Sequence, residues 1–463
     1  MGCGDSKGLT AKETTIKKKA KQNLAKNEES NREEKKSTKN NIILTENNIT
    51  KDDSKKKNEN NEYKDKINLI YYANFNGIFN IFGENFVKNN KDNIDLIING
   101  KQNELVNKYR LIQRVNNITI LIKKKLISLS GMFSGCNLLI DFNELKFLNV
   151  CQIEDFSNMF SGYSYLTDIN FLQNWNVSNG VNFGSIFLHC NSLIDIKALE
   201  NWEVSNCKNF RLIFYGCSSL SNLEPLHNWN VSNGTNFERM FSECKKLTDI
   251  SGLHNWNVSK GTNFNSMFSN CSNITSFNAL QNWNVSNGKE FNSMFNQCTS
   301  LLDSRGFENW NMSNAKNLFG MFSNCSNLSE IKSLENWDVS NCNYFSHMFL
   351  KCSFLLSLSP LKNWNVSNGI KFRSMFAGAS KLSNISFLRN WNVSNGIDFS
   401  CMFQECTNLI NIFALKNWNV SKGTDFRGMF GECDKSLVME GIQKWNIPKE
   451  QFELITKKFN MTK

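Results

Sequence analysis

The sequence predicts an α/β solenoid, an array of 27-residue units set between a small β-rich N-terminal domain and a helical C-terminal cap. All eleven tryptophans, from Trp175 to Trp445, follow one another at steps of 27 residues. Around each the same phrase returns, as in Asn174-Trp175-Asn176-Val177-Ser178-Asn179-Gly180 followed by Asn182-Phe183, Ile186-Phe187, Cys190, Leu193, Ile196 and Leu199. A unit this short cannot bury its apolar face until a neighbour stacks on it, so the period implies a one-dimensional stack.

One unit shows the expected local fold. After Trp229, the apolar residues Phe237, Met240, Phe241 and Cys244 fall at i, i+3, i+4 and i+7, the pattern of one helical face about two turns long. Asn236 is placed to cap that helix. Leu247, Ile250 and Leu253 then lead into Asn255-Trp256-Asn257-Val258, where Trp256 and Val258 alternate as on a half-buried strand. Residues such as Asn233-Gly234 supply the turn, because glycine accepts φ > 0 and asparagine tolerates it. Two extended pieces compete for the continuous sheet, one around Ile250 and one around Trp256, and the first is favoured.

The Met-Phe-x-x-Cys-x-x-Leu run followed by Asn-Trp-Asn-Val-Ser resembles the BspA-like leucine-rich repeat. It is also similar to a repeat domain of unknown function found in mycoplasma lipoproteins and in large protist families. The resemblance covers roughly residues 121–447 and makes the array leucine-rich-repeat-like. It implies surface attachment and protein binding, not catalysis, and fold alone never settles function.

At the start of the chain, Met1-Gly2-Cys3-Gly4-Asp5-Ser6-Lys7 fits the N-myristoylation pattern, with Cys3 placed for palmitoylation. One acyl chain holds a bilayer only marginally, so a second signal is needed. Cys3 is one, and the basic run Lys12, Lys17, Lys18, Lys19, Lys21 and Lys26 is another, each cation adding about 1 kcal/mol near an anionic leaflet. No signal-peptide-length apolar stretch follows Met1 and none reaches spanning length, so secretion and membrane crossing are not expected. Residues 1–65 thus read as an acylated, basic, disordered tether.

Residues 66–120 read as the β-rich domain and N-terminal cap. Their runs Ile67–Tyr71, Ile78–Phe82, Ile94–Ile98 and Ile118–Ile122 favour strands, and Asn99-Gly100 is a hairpin-turn signal. Residues 121–447 form the array, its first two units degenerate, with Leu121 and Leu148 in the tryptophan slot. Pro448 suits the first turn of a closing helix over 448–463 that carries Phe452, Leu454, Ile455 and Phe459.

Of the net charge of +11, +5 lies in residues 1–66, +4 in 67–147 and only +2 in 148–463. A nucleic-acid groove needs a concentrated basic stripe. Here the positive excess sits beside the lipidation motif and favours an anionic membrane surface. Ten of the fifteen cysteines, including Cys136, Cys190, Cys244 and Cys433, occupy one apolar slot, where Ala379 substitutes once. Packing tolerates that exchange and a ligand set does not, so neither metal nor cofactor is expected. His189, His227, His254 and His347 have no acid at motif spacing, and no phosphate loop, nucleophile elbow or zinc signature occurs. The Asn-Val-Ser sequons read as turn chemistry.

These readings predict a membrane-anchored protein–protein interaction scaffold on the cytoplasmic face, with a protein ligand, no small-molecule substrate and no nucleic acid. The alternative is a cell-surface or secreted adhesin. The partner-binding row is expected beside the core slot, on the sheet side, at Lys197, Glu224, Ser251, Asn278, Arg305, Lys332, Ser359 and Ser386. A competing row consists of Arg211, Arg239, Arg373 and Arg427 on the helix side.

Overall fold

Residues 65–456 are described in the computed structural model of the chain. The four apolar runs of the N-terminal domain all contribute strands. Strands β1 (Asp65–Tyr72), β3 (Ile94–Ile98), β4 (Lys101–Glu104), β6 (Val115–Ile122) and β7 (Leu139–Asp141) make one sheet in the order β4-β3-β6-β1-β7. A separate two-stranded ribbon joins β2 (Gly77–Asn80) to β5 (Lys108–Leu111). Asn99 and Gly100 turn β3 into β4 with φ of 48° and 82°, the two positive values that a tight primed hairpin turn requires.

This domain covers the open end of the array. Helix α1 (Glu84–Asn90) buries Phe86, the Phe82 ring lies 6.0 Å from Phe133 of the first unit, and the Gly83 N–H donates to the Met132 carbonyl at 3.0 Å. Asn90 donates to the Ser128 carbonyl at 2.8 Å and accepts from the Ile127 N–H at 3.1 Å. Backbone groups that a neighbouring unit would satisfy are thus met by the β-domain. Strand β7 belongs to the first unit yet pairs with β1, so the sheet crosses the boundary expected at residue 120. One apolar core runs without a break from Ile67 to Ile455.

The array departs from the expected unit. Phe237, Met240, Phe241 and Cys244 are buried, but no α-helix forms there. The N–H groups of Phe237, Arg239, Phe241 and Glu243 donate to the Asn263, Asn265, Met267 and Ser269 carbonyls of the next unit at 2.8–2.9 Å. Between them, the Met240 and Cys244 N–H groups turn back to the Phe237 and Phe241 carbonyls at 3.2 Å. Arg239 and Glu243 have φ of 53° and 65°. A helix needs successive right-handed residues and every N–H directed back along its own axis. A left-handed residue at every fourth position prevents that and frees alternate N–H groups for the neighbouring unit.

The result is a ladder of parallel bridges between equivalent residues, unbroken from Asp155↔Asn182 to Asp398↔Asp425. The piece beside Ile250 carries a second, interrupted set that includes Asn222↔Asp249. Among the described residues no bridge joins the segments around Trp256. The most continuous pairing therefore lies in the stretch expected to be helical.

Side chains repeat the same registry. Trp283 lies 6.3 Å from Trp256 and 6.5 Å from Trp310 with ring planes within 4°, and its indole N–H donates to the Leu253 carbonyl at 3.0 Å. The Asn257 side chain accepts the Ser259 N–H at 3.1 Å, and Asn287 of the next unit donates to the Ser259 carbonyl at 2.7 Å. Asn-Val-Ser thus acts as turn chemistry in the fold. Gly234, expected for positive φ, does not use it. A Cβ there would stand 2.5 Å from the Phe237 ring and 3.0 Å from the Val231 oxygen, so close approach is what the position requires. At the far end, helix α2 (Lys449–Thr456) buries Phe452 and Ile455 but exposes Leu454. Its Gln451 accepts the Phe426 N–H at 3.3 Å.

Candidate functional site

The eight residues of the expected partner row lie one position after a core residue, and the core residue fixes them. Ile196, Leu223, Ile250, Phe277 and Ile331 are buried while Lys197, Glu224, Ser251, Asn278, Arg305 and Lys332 are exposed, and Ser359 and Ser386 half-buried. Seven of the eight open a 3-10 turn, at Lys197–Leu199, Glu224–Leu226, Ser251–Leu253, Asn278–Leu280, Lys332–Leu334, Ser359–Leu361 and Ser386–Asn390. The row therefore runs along tight turns two residues past the interrupted bridges. Asp195, Asp249 and Asp303 accept the N–H groups of Lys197, Ser251 and Arg305 at 2.8–3.0 Å, which holds each turn in one orientation.

Arg305 sits in an irregular unit. Ser304 occupies the buried aliphatic slot, Phe307 fills the space where other units have leucine, and Gly306 takes φ of 101°. The Arg305 guanidinium pairs with Asp303 at 2.8 Å. A cleft of about 340 Å³ opens here, lined by Arg305, Glu308, Glu330 and Lys332 among others. Partial burial works to raise the Glu308 pKa, but hydrogen bonds from the Ser333 hydroxyl (2.7 Å) and the Gly306 N–H (2.8 Å) outweigh it and hold the carboxyl below its ordinary range.

A larger cleft of about 520 Å³, which sequence reasoning missed, adjoins the N-terminal end of the row and is lined by Phe142, Tyr163, Tyr165, Phe171, Ile194 and Lys246 among others. Its signal lay in departures from the repeat. Tyr163 occupies the cysteine slot, Tyr165 the slot of Ser192 and Ser219, and Phe171 the slot of Ala198 and Gly252. The competing arginines lie on the ribbon of left-handed turns. Arg211 pairs with Glu238 at 3.1 Å and Arg427 with Asp425 at 2.7 Å.

The slot cysteines are buried free thiols. Cys271 and Cys298 donate to the Phe241 and Phe268 carbonyls at 3.1 and 3.3 Å. Burial pushes the Cys325 thiol up to about 12 and Cys271 and Cys298 well above their ordinary value. Such thiols are neither nucleophiles nor ready metal ligands. Among the described residues no cluster of three His, Cys, Asp or Glu could hold a metal ion, and no helix is long and apolar enough to cross a membrane. His227 meets Glu224 at 3.6 Å on the surface. Gly2, Cys3, Lys12, Lys17, Lys18, Lys19, Lys21 and Lys26 lie outside the described residues, as does the cap beyond Thr456.

A recurring stacked core that carries a row of changing side chains defines a repeat protein. The model of the family described as Mycoplasma protein of unknown function, DUF285, matches residues 127–250, 221–331, 301–409 and 355–462, and the chain belongs to that family. No curated protein and no solved structure matches it.

Proposed function

We propose that the protein is a membrane-anchored scaffold that captures a protein ligand, with the array acting as a solenoid of the leucine-rich-repeat kind, akin to BspA-like repeats. The observation that carries the reading is the row itself. From Lys197 through Glu224 and Ser251 to Asn278 the exposed slot changes from cation to anion to small polar group, while the adjacent buried slot holds Ile196, Leu223, Ile250 and Phe277. Varied chemistry on a fixed frame is what recognition of an extended surface needs, and solenoids offer such faces to proteins. A binding role fits this better than a catalytic one. The anchor rests on Gly2, Cys3 and the lysines that follow them.

The joint change Lys197→Glu, Arg305→Glu and Lys332→Glu is expected to weaken capture of the ligand from a native extract without shifting the melting temperature. Capture that survives this change but is lost on reversing Arg211, Arg239, Arg373 and Arg427 would move the site to the ribbon face. Gly2→Ala is expected to shift the protein to the soluble fraction, and Cys3→Ser to weaken retention. Unchanged membrane fractionation of Gly2→Ala would remove the anchor from the account.

A further inference from the structure

We propose that the tip of the β-domain is a second membrane contact, a loop pair that seats on an anionic bilayer; the inference rests on the anchored reading above and adds to it an orientation for the array. Two loops meet at this tip, residues 73–76 between β1 and β2 and residues 112–114 between β5 and β6, because Tyr72 pairs with Val115 and Gly77 with Leu111. The loops present Phe75 and Ile112 at 69% and 64% exposure, and the adjoining strand β2 presents Ile78 at 64%. A folded domain with Leu111, Phe82 and Ile81 buried nearby gains nothing from leaving three large apolar side chains in water at one tip.

The surrounding charge selects the partner. Residues 73–83 and 105–117 contain Lys108, Arg110 and Arg114 and no Asp or Glu. Ile78 stands directly across the ribbon from Arg110. Arg114 lies over the Tyr72 ring, 5.1 Å from its centre, and the Ala73 N–H donates to its carbonyl at 2.9 Å, which ties the two loops together. Apolar side chains at the apex with cations behind them suit the interface of an anionic bilayer. There the apolar groups enter the acyl boundary and Lys108 and Arg110 meet lipid phosphates. A protein partner of the apolar tip would instead call for acids or mixed charges around it.

The test uses the full chain carrying Gly2→Ala, so that no acyl chain contributes, and vesicles of phosphatidylcholine with or without phosphatidylserine. Sedimentation with the phosphatidylserine vesicles should fall by about tenfold or more on Phe75→Ala, Ile78→Ala and Ile112→Ala together. It should also fall on Lys108→Gln with Arg110→Gln, and phosphatidylcholine vesicles should bind weakly throughout. A second pair, Phe75→Leu with Ile112→Leu, should retain binding, separating loss of apolar contact from misfolding. Equal sedimentation of the alanine variant would overturn the inference while leaving the anchor untouched. Vesicle binding that depends on the tip, beside unchanged fractionation of acylated and Gly2→Ala protein in cells, would instead remove the anchor and keep the tip. If the chain self-associates without lipid and the alanine variant is monomeric, the tip belongs to a second copy and the bilayer assignment is wrong.

Discussion

The β-domain and the array solve the same problem in opposite ways. In the β-domain, strands distant in sequence pair antiparallel, as β1 does with β6 over Asp65↔Ile122 to Tyr72↔Val115, and each pairing occurs once. In the array the bridges join a residue to its equivalent one unit away, as in Asn236↔Asn263 and Asn263↔Glu290. The first arrangement must form as a whole. The second distributes stability over near-identical interfaces, so local damage has neighbours to stop it. What the comparison teaches is that repetition frees the surface: where the frame is held by registry, an exposed slot can change from Lys197 to Glu224 without cost to its unit.

Four expected outcomes would break or sharpen this contrast. The largest follows Trp283→Ala, which removes a ring stacked on both sides and should cost about 3–5 kcal/mol in a melting or denaturant titration. Gly288→Ala should cost about 1–3 kcal/mol, because its Cβ would stand 2.2 Å from the Phe291 ring. Adding Phe291→Leu should recover part of that, since one natural unit pairs Ala315 with Leu318. Failure of the second change to help would mean that the ring does not set the glycine slot.

The third outcome is a pH dependence. Burial raises the folded-state pKa of the slot thiols, to about 12 for Cys136 and Cys325. Between the ordinary value of 9.0 and those values the native state holds protons that the unfolded chain has released. Stability is therefore fully present below pH 9.0 and falls as pH rises towards about 12, by about 1.4 kcal/mol per pH unit for each such thiol. Replacing Cys136 and Cys325 by alanine should flatten the alkaline limb, and an unchanged slope would contradict the burial. The smallest effect is expected from reversing Lys197 and Lys332, exposed turn residues whose loss should leave the melting temperature within error.

Much of this was legible in the residues. The period located every tryptophan interface, the cysteine slot read correctly as packing, and the runs at Ile67, Ile94 and Ile118 became strands because alternate burial of β-branched residues suits a pleated sheet. The ribbon was not legible from its apolar pattern. Phe237, Met240, Phe241 and Cys244 point inward in either conformation, so the periodicity is the same for a helix and for turns bonded to the next unit. What separates them is the pair of left-handed positions, and most of these are not glycine: Ser185, His189, Arg239 and Glu243 all have positive φ. The usable signal was the recurrence of Gly162, Gly216, Gly320, Gly378 and Gly428 in those same two slots. The row's place on 3-10 turns was hidden for a related reason, since Lys197 or Ser251 after a core residue reads alike on a strand and on a tight turn.

The central claim is that each unit is held by its neighbours in register, and hydrogen exchange on the full chain carrying Trp283→Ala tests it most directly. The account predicts that amides around Phe264–Asn270 and in the units next to Trp283 lose protection most, with the effect fading along the stack and β1, β3 and β6 unchanged. Uniform loss of protection across the array and the β-domain would contradict it.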